Sequence, residues 1–285
     1  MACAQPRLYP DAPIPRRAFT CDAPLPGCAC RPGGLCDDAL MEWRATGVVL
    51  TVRPHGEHAA IIDVLTADHG RHAGVVRGAA SRRMVAVLQP GAQVDVAWRA
   101  RLGEHLGAFT AEPVQSRAHL MADRRALAGL NAICALLHVA LPEREAHPAL
   151  YAATLTLLDA MDNLPDWPQV YLRWEIGLLD ALGFGLDLGA CAVTGARQGL
   201  AYVSPKTGRA VSRGAAGEWA DKLFALPACM GGDAVQGPGD VAQGLAITGH
   251  FLARALAPVL APVLAPALGD RPLPEARRRL VEMLG

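Results

Sequence analysis

Hydrophobic periodicity changes once along this sequence, near Arg117, and that change sets what the chain can fold into. Before it, apolar residues alternate with polar ones. Val94, Val96, Trp98, Ala100 and Leu102 interleave with Gln93, Asp95, Ala97, Arg99 and Arg101. A period of two places one set on a core face and the other in solvent, as in a β-strand. After Arg117 the period is helical. Leu120, Leu127, Leu130, Cys134 and Leu137 fall on one stripe, which a helix buries. The spacing therefore predicts a β-rich domain followed by an all-α one.

From Met41 to about Glu112 the turn signals divide the chain into five short strands. They are expected at Trp43–Val52, Ala59–Thr66, His72–Arg77, Ala92–Leu102 and Leu106–Pro113. Turns fall at His55-Gly56-Glu57, Asp68-His69-Gly70, Gln89-Pro90-Gly91 and Gly103-Glu104-His105. Gly78–Arg83 reads as a polar loop. Five strands with short turns predict a small barrel of the oligonucleotide-binding kind, an OB-fold.

Charge is concentrated in this region. Gly70–Leu102 holds Arg71, Arg77, Arg82, Arg83, Arg99 and Arg101 against a single acid, Asp95. The whole chain is formally neutral, with 27 basic and 27 acidic residues, so any contact with nucleic acid must be local. These six arginines are the expected DNA-binding residues, holding phosphates without reading bases. The bland alternative is a solvated strand in a chain whose default cation is arginine. Trp98 lies opposite Arg99 and Arg101 and is expected in the core. Trp43 and Phe109 are the other aromatics of the barrel, so base stacking is sparse.

Beyond Arg117 helices are expected up to Pro142, over Pro148–Met161, and from an Asp166 cap with Pro168 in the first turn to Gly183. Residues 188–216 are rich in glycine and turns. Helical pattern resumes over Ala216–Leu226, Val241–Leu256 and Pro274–Leu284, the last with Arg277, Arg278 and Arg279 expected in solvent. Between the last two, Pro258, Pro262 and Pro266 recur four apart, which reads as an extended or kinked spacer.

Residues 1–40 follow neither pattern. Seven of them are proline, which leaves no periodicity and predicts a disordered leader; a start upstream of the true one is the second reading. Of eight cysteines, Cys3, Cys21, Cys28, Cys30 and Cys36 lie in this stretch, with no regular disulfide framework. No signal sequence or membrane span is expected, and the cytosol is the expected compartment. The domain plan is a leader at 1–40, a barrel at 41–116 and a helical domain at 117–285 with an insert at 188–216.

The motifs of catalysis are missing. There is no Gly-x-Ser-x-Gly elbow and no phosphate-binding Gly-Lys-Ser/Thr loop, so a non-enzyme is expected. The insert has the outline of a zinc ribbon without its ligands. Cys191 stands alone, with Thr194, Ser212 and Ala215 where partner cysteines belong, so no metal or other cofactor is expected. Cys191 is then expected to behave as a small buried hydrophobe. His55/His58 and His69/His72 read as polar turn residues, with a metal-dependent enzyme as a minor alternative.

Two segments together resemble the bacterial RecO recombination mediator family. MEWRATGVVLTVRPHGEHAAIIDVLTADHGRHAGVVRGAASRR resembles the start of that family's barrel. RWEIGLLDALGFGLDLGACAVTG resembles its helix leading into the ribbon. The likeness spans roughly residues 41–284. It implies an α+β multidomain protein, an OB-fold followed by an all-α domain with a degenerate zinc-ribbon-like insert. It implies binding of single- and double-stranded DNA, strand annealing and RecA loading. The implied partners are RecR, RecF, RecA and single-stranded DNA-binding protein, in the nucleoid-associated cytoplasm. Zinc, held by four cysteines in some members, does not carry over. A reading from a different class is a protein–protein adaptor in which DNA contact is incidental.

Overall fold

The structure, a computed structural model, describes residues 41–235, 237, 239–264 and 273–285. The leader expected at 1–40, with five of the cysteines, lies outside them. Five strands carry the first half: β1 (Met41–His55), β2 (Ala59–Thr66), β3 (Gly70–Arg77), β4 (Gln93–Ala100) and β5 (Ala108–Gln115). They close on themselves in the order β1–β2–β3–β5–β4, a barrel. All pairs are antiparallel except β3–β5, which joins in parallel over only Val75↔Ala108 and Val76↔Phe109. β1 is long because it serves two neighbours, β4 through its first half and β2 through its second. The handover passes Gly47, where a Cβ would sit 2.4 Å from Val64 Cγ1.

The alternation holds. Val94, Val96, Trp98 and Ala100 point into the barrel while Asp95 and Arg99 face solvent. The interior adds Val49, Ile62, Val64, Val76 and Phe109. One corner of it is aromatic: Trp43 stacks on His69 at 4.0 Å, and His72 meets Trp98 edge-on at 4.7 Å. His72 is thus not a turn residue, as its sequence setting suggests. It is 4 % exposed, and neither ring nitrogen finds a partner among the described residues. It packs at steep angles against the rings of Trp43, Trp98 and Phe109.

Two stretches differ from expectation. Arg82 and Arg83 are not in a loop but open a short helix, α1 (Arg82–Val87). Ser81 caps it by accepting from Met84 N at 3.4 Å, and Met84, Val87 and the following Leu88 pack on the barrel core. Arg101 lies just past β4, because the strand ends at Ala100.

The second half is helical: α2 (Arg124–Ala140), α3 (Pro148–Asn163) and α4 (Trp167–Ala181). Asp123 caps α2 by accepting from the N–H groups of Arg125 and Ala126. A small three-stranded sheet follows, of β6 (Leu200–Val203), β7 (Ala210–Ser212) and β8 (Phe224–Ala225) in the order β7–β6–β8. The helix expected over Ala216–Leu226 is not there. The one-turn α5 (Arg213–Ala216) stops at Gly217, whose φ of 49° leaves the helical region, and a 3₁₀ segment leads into β8.

The last two helices are α6 (Asp240–Leu264) and α7 (Glu275–Leu284). α6 runs through Pro258 and Pro262, where a spacer was expected; residues 265–268 of that stretch lie outside the described ones. At a spacing of four, the donor missing at Pro262 would have bonded the carbonyl of Pro258. Successive losses therefore fall on one line of bonds, and the N–H groups of Val259, Leu260 and Ala261 remain available. Among the described residues no helix is long and apolar enough to cross a membrane.

A buried ion pair locks the helices. Arg277 is not in solvent as expected but 5 % exposed, donating through Nε to Glu175 Oε1 at 2.7 Å and through Nη2 to Oε2 at 2.8 Å. Nη2 also donates to the carbonyl of Leu245 at 2.8 Å, and Thr248 donates to Glu175. The pair ties α4, α6 and α7 together. Arg278 and Arg279 do face outward, against Glu275 and Glu282. From Met41 on, barrel and helices belong to one compact unit, and Val48, Leu50 and Leu65 of the barrel share the helices' core.

Two stability measurements check this fold. Arg277→Met leaves the Glu175 carboxylate buried and unpaired, so chemical denaturation should show a loss of about 3 to 5 kcal/mol. His72 sets a pH dependence. Burial pushes its pKa from 6.5 down to about 4, with Arg144 adding to the effect. The unfolded chain therefore takes up a proton near 6.5 that the folded barrel refuses until about 4. Stability should fall as pH drops through that window, by about 3 kcal/mol from this group, and His72→Phe should flatten the fall.

Candidate nucleic-acid interface

Strand alternation and one turn build the candidate site. Arg99 projects outward from β4, and Arg101 follows it at the strand's end. The parallel contact of β3 with β5 brings Arg77 beside them, with Val75 N donating to Gly107 O at 3.1 Å. Arg77, Arg99, Arg101, His105, Val75 and Gly107 line one shallow groove of about 380 Å³. Three of its lining residues carry guanidinium groups.

One acid offsets this charge. Glu42 stands opposite Arg99 in the β1–β4 register and accepts from Arg99 Nη2 at 2.8 Å. That hydrogen bond holds the Glu42 carboxyl below its ordinary range. Arg77 and Arg101 make no ion pair with another described residue and are exposed. Arg82 and Arg83 are also exposed and unpaired among described residues, at the start of α1 beyond the Gly78–Ser81 turn. Planar guanidinium groups with free donors are suited to phosphate oxygens.

Arg71 does not join them. Its side chain turns inward between barrel and helices, 12 % exposed. Nη1 donates to Asp63 at 3.0 Å and lies 3.5 Å from Glu143, and Nε donates to Leu141 O at 3.0 Å. A group already spent on three acceptors has little left for a phosphate. Its position on β3 carries an apolar–polar ambiguity that the sequence cannot resolve, because two of its three partners lie some 70 residues on.

Two members escaped sequence reasoning. His105 reads as a turn residue, yet the turn carries it into the groove. Arg44 is exposed on β1 opposite Ala97 of β4, on the same outer face as Arg99. The alternation of Glu42, Arg44 and Thr46 along β1 is the signal that could have placed it. The barrel's aromatics offer no free stacking platform. Trp98 and Phe109 are buried, and Trp43 is covered by His69.

The insert presents a different chemistry. Cys191 is buried, but its surroundings are polar, not those of a plain hydrophobe. Ser212 N donates to its sulfur at 3.2 Å, and hydrogen bonds from Ser212 and Thr194 pull the thiol down to about 6. Among the described residues no three His, Cys, Asp or Glu side chains converge as metal ligands would.

Comparison with known proteins covers both halves of the chain. Recombination protein O N terminal matches residues 41–117, and Recombination protein O C terminal matches residues 121–260. A DNA repair protein RecO from Cereibacter sphaeroides is 62% identical over 245 residues, spanning 86% of this chain and 99% of that protein. Its namesake from Jannaschia sp. is 56% identical over 245 residues, across 86% and 96% of the two chains. The one from Dinoroseobacter shibae is 52% identical over 246 residues, across 86% and 98%.

The different placements of the arginines predict different consequences. Arg71→Ala should cost about 3 kcal/mol of stability, because it strips the main partner from a buried carboxylate. Replacing Arg82 and Arg83 with alanine should change stability by less than about 0.5 kcal/mol, as exposed substitutions usually do. Parallel thermal melts of the two variants check the contrast.

Proposed function

This chain belongs to the RecO family of DNA repair proteins, and from that premise we propose that it is a non-enzymatic DNA-binding mediator of recombinational repair. The barrel, closed through a short parallel β3–β5 contact, is on this reading an OB-fold spanning residues 41–116. Residues 117–285 are a helical domain with a ribbon-like insert at 188–216. The observation that carries the reading is the groove of Arg77, Arg99 and Arg101, three exposed guanidinium groups on a formally neutral chain. The site calls for no catalytic residue and no cofactor.

The mechanism is electrostatic. Each guanidinium that meets a phosphate releases condensed counterions, and this drives binding without sequence selection. Two strands so neutralised repel each other less, which is what annealing requires. Both single- and double-stranded DNA present the phosphates such a groove holds. RecR and RecF as partners, the loading of RecA and the displacement of single-stranded DNA-binding protein extend this reading from the family resemblance. A nucleoid-associated cytoplasmic location follows from the DNA partner.

Salt dependence tests it. Replacing Arg77, Arg99 and Arg101 with alanine should weaken binding of single-stranded DNA. The slope of log K against log salt should flatten by about 0.7 for each phosphate that is no longer neutralised. Replacing Arg82 and Arg83 should flatten it further if α1 shares the DNA track. An unchanged slope in both variants would sink the reading and favour a protein–protein adaptor with incidental DNA contact.

A further inference from the structure

The loop that joins β4 to β5, residues 101–107, has its backbone fixed from inside. Trp98 Nε1 donates to Leu106 O at 3.1 Å, and His105 N donates to Leu102 O at 3.1 Å. The Arg144 guanidinium donates to Glu104 O at 3.1 Å and to His105 O at 3.0 Å. Gly107 sits against the Trp98 ring, 2.4 Å from where a Cβ would lie, with a φ of 67° that favours glycine. A loop held this way keeps its shape. Its apolar side chains nevertheless stay in water: Leu102 is 52 % exposed and Leu106 40 %. Met41, 51 % exposed, reaches over the same loop, with its sulfur 3.1 Å from the Cβ position of Gly103.

This ledge adjoins the arginine groove. Arg101 and Leu102 are consecutive, and His105 and Gly107 belong to both loop and groove. Apolar surface framed by exposed guanidinium groups fits a ligand with apolar faces on an anionic backbone. We infer that Leu102 and Leu106 receive unstacked nucleobases of a single strand whose phosphates lie on Arg77, Arg99 and Arg101. The inference rests on the DNA-binding reading and adds to it a preference for single-stranded over duplex DNA. In a duplex the base faces are stacked and hidden, so the ledge meets only phosphate and water and gains nothing. With the barrel's own aromatics buried, the ledge is the available apolar partner beside the groove.

The test compares ligands of equal phosphate count: a thymidine oligomer, an abasic oligomer of the same length, and a duplex. The wild-type chain should bind the thymidine oligomer about tenfold more tightly than the abasic one, from apolar area removed from water. A Leu102→Ser/Leu106→Ser variant should bind the two alike, with unchanged duplex affinity and salt slope. Leu102→Phe/Leu106→Phe should restore or exceed the preference, which separates base contact from damage to the fold. A wild type that ignores the bases, or a serine variant that keeps the preference, overturns the ledge while an intact salt slope preserves the DNA-binding reading. Absence of DNA binding altogether overturns both. A serine variant that changes only the concentration-dependent mass of the protein overturns it too, and makes the ledge a self-association surface.

Discussion

One buried carboxylate holds the two halves of this molecule together. Asp63, 1 % exposed, accepts from Thr51 Oγ1 at 2.6 Å and from Arg71 Nη1 at 3.0 Å. Arg53 and His138 each approach it to 3.6 Å. Thr51, Arg53 and Asp63 belong to adjacent barrel strands, Arg71 to the next, and His138 to α2. A carboxyl group so deep is tolerated because its oxygens are so fully met. The requirement runs outward. Arg71 must stay inside, and it then also donates to Leu141 at the end of α2. Its own carbonyl accepts from Arg144 N at 2.8 Å.

That chain of bonds explains how the barrel closes. β3 and β5 meet over only two residue pairs, so the first half of β3 lacks a barrel neighbour on that side. The segment between α2 and α3 takes the place, bridging Arg71 to Glu143. Contact is close enough that a Cβ at Gly70 would fall 1.9 Å from Glu145 O. Arg144 adopts a φ of 66°, costly for a residue with a side chain, and its guanidinium then clamps the 101–107 loop. The helical half therefore does more than pack against the barrel. It completes the seam and sets the shape of the loop beside the arginine groove.

Much of the barrel was legible because alternation is a local signal. β2 fell where expected to the residue, and the buried side of β4 could be read from Val94, Val96 and Trp98. What failed was whatever depended on partners distant in sequence. Arg71, Arg117 and Arg277 carry the same charge as Arg101, yet each is turned inward against acids between 8 and 102 positions away. Nothing local distinguishes a structural arginine from a ligand-binding one. α1 was missed because its six residues are too few for a helical period to register, and only the Ser81 cap marks it. α6 runs past the expected stop because a helix already propagating from the N-terminal side loses only single bonds at each proline.

The division of the arginines has a consequence for how a neutral chain can hold a polyanion. Arg71, Arg117 and Arg277 neutralise acids within the fold and contribute little to the outer field, so the surface charge is decided by the rest. On the outer face of β1, β4 and β5 the balance of charge shifts along the strands, although Glu42 offsets Arg99 at the basic end. Asp95 pairs with Glu112 at one end, while Arg99 and Arg101 lie at the other beside Arg44. Coulomb interactions between exposed groups fade over about 10 Å in 0.1 M salt, so a strand laid across this face meets a field that changes sign along it. On the DNA-binding reading proposed above, phosphates would be drawn to the end beside the 101–107 loop and turned away from the other. Net charge, which argues against extensive nucleic-acid binding, leaves a short polarised track unaffected. Position along one sheet face, set by strand register, gives a local charge balance that composition conceals.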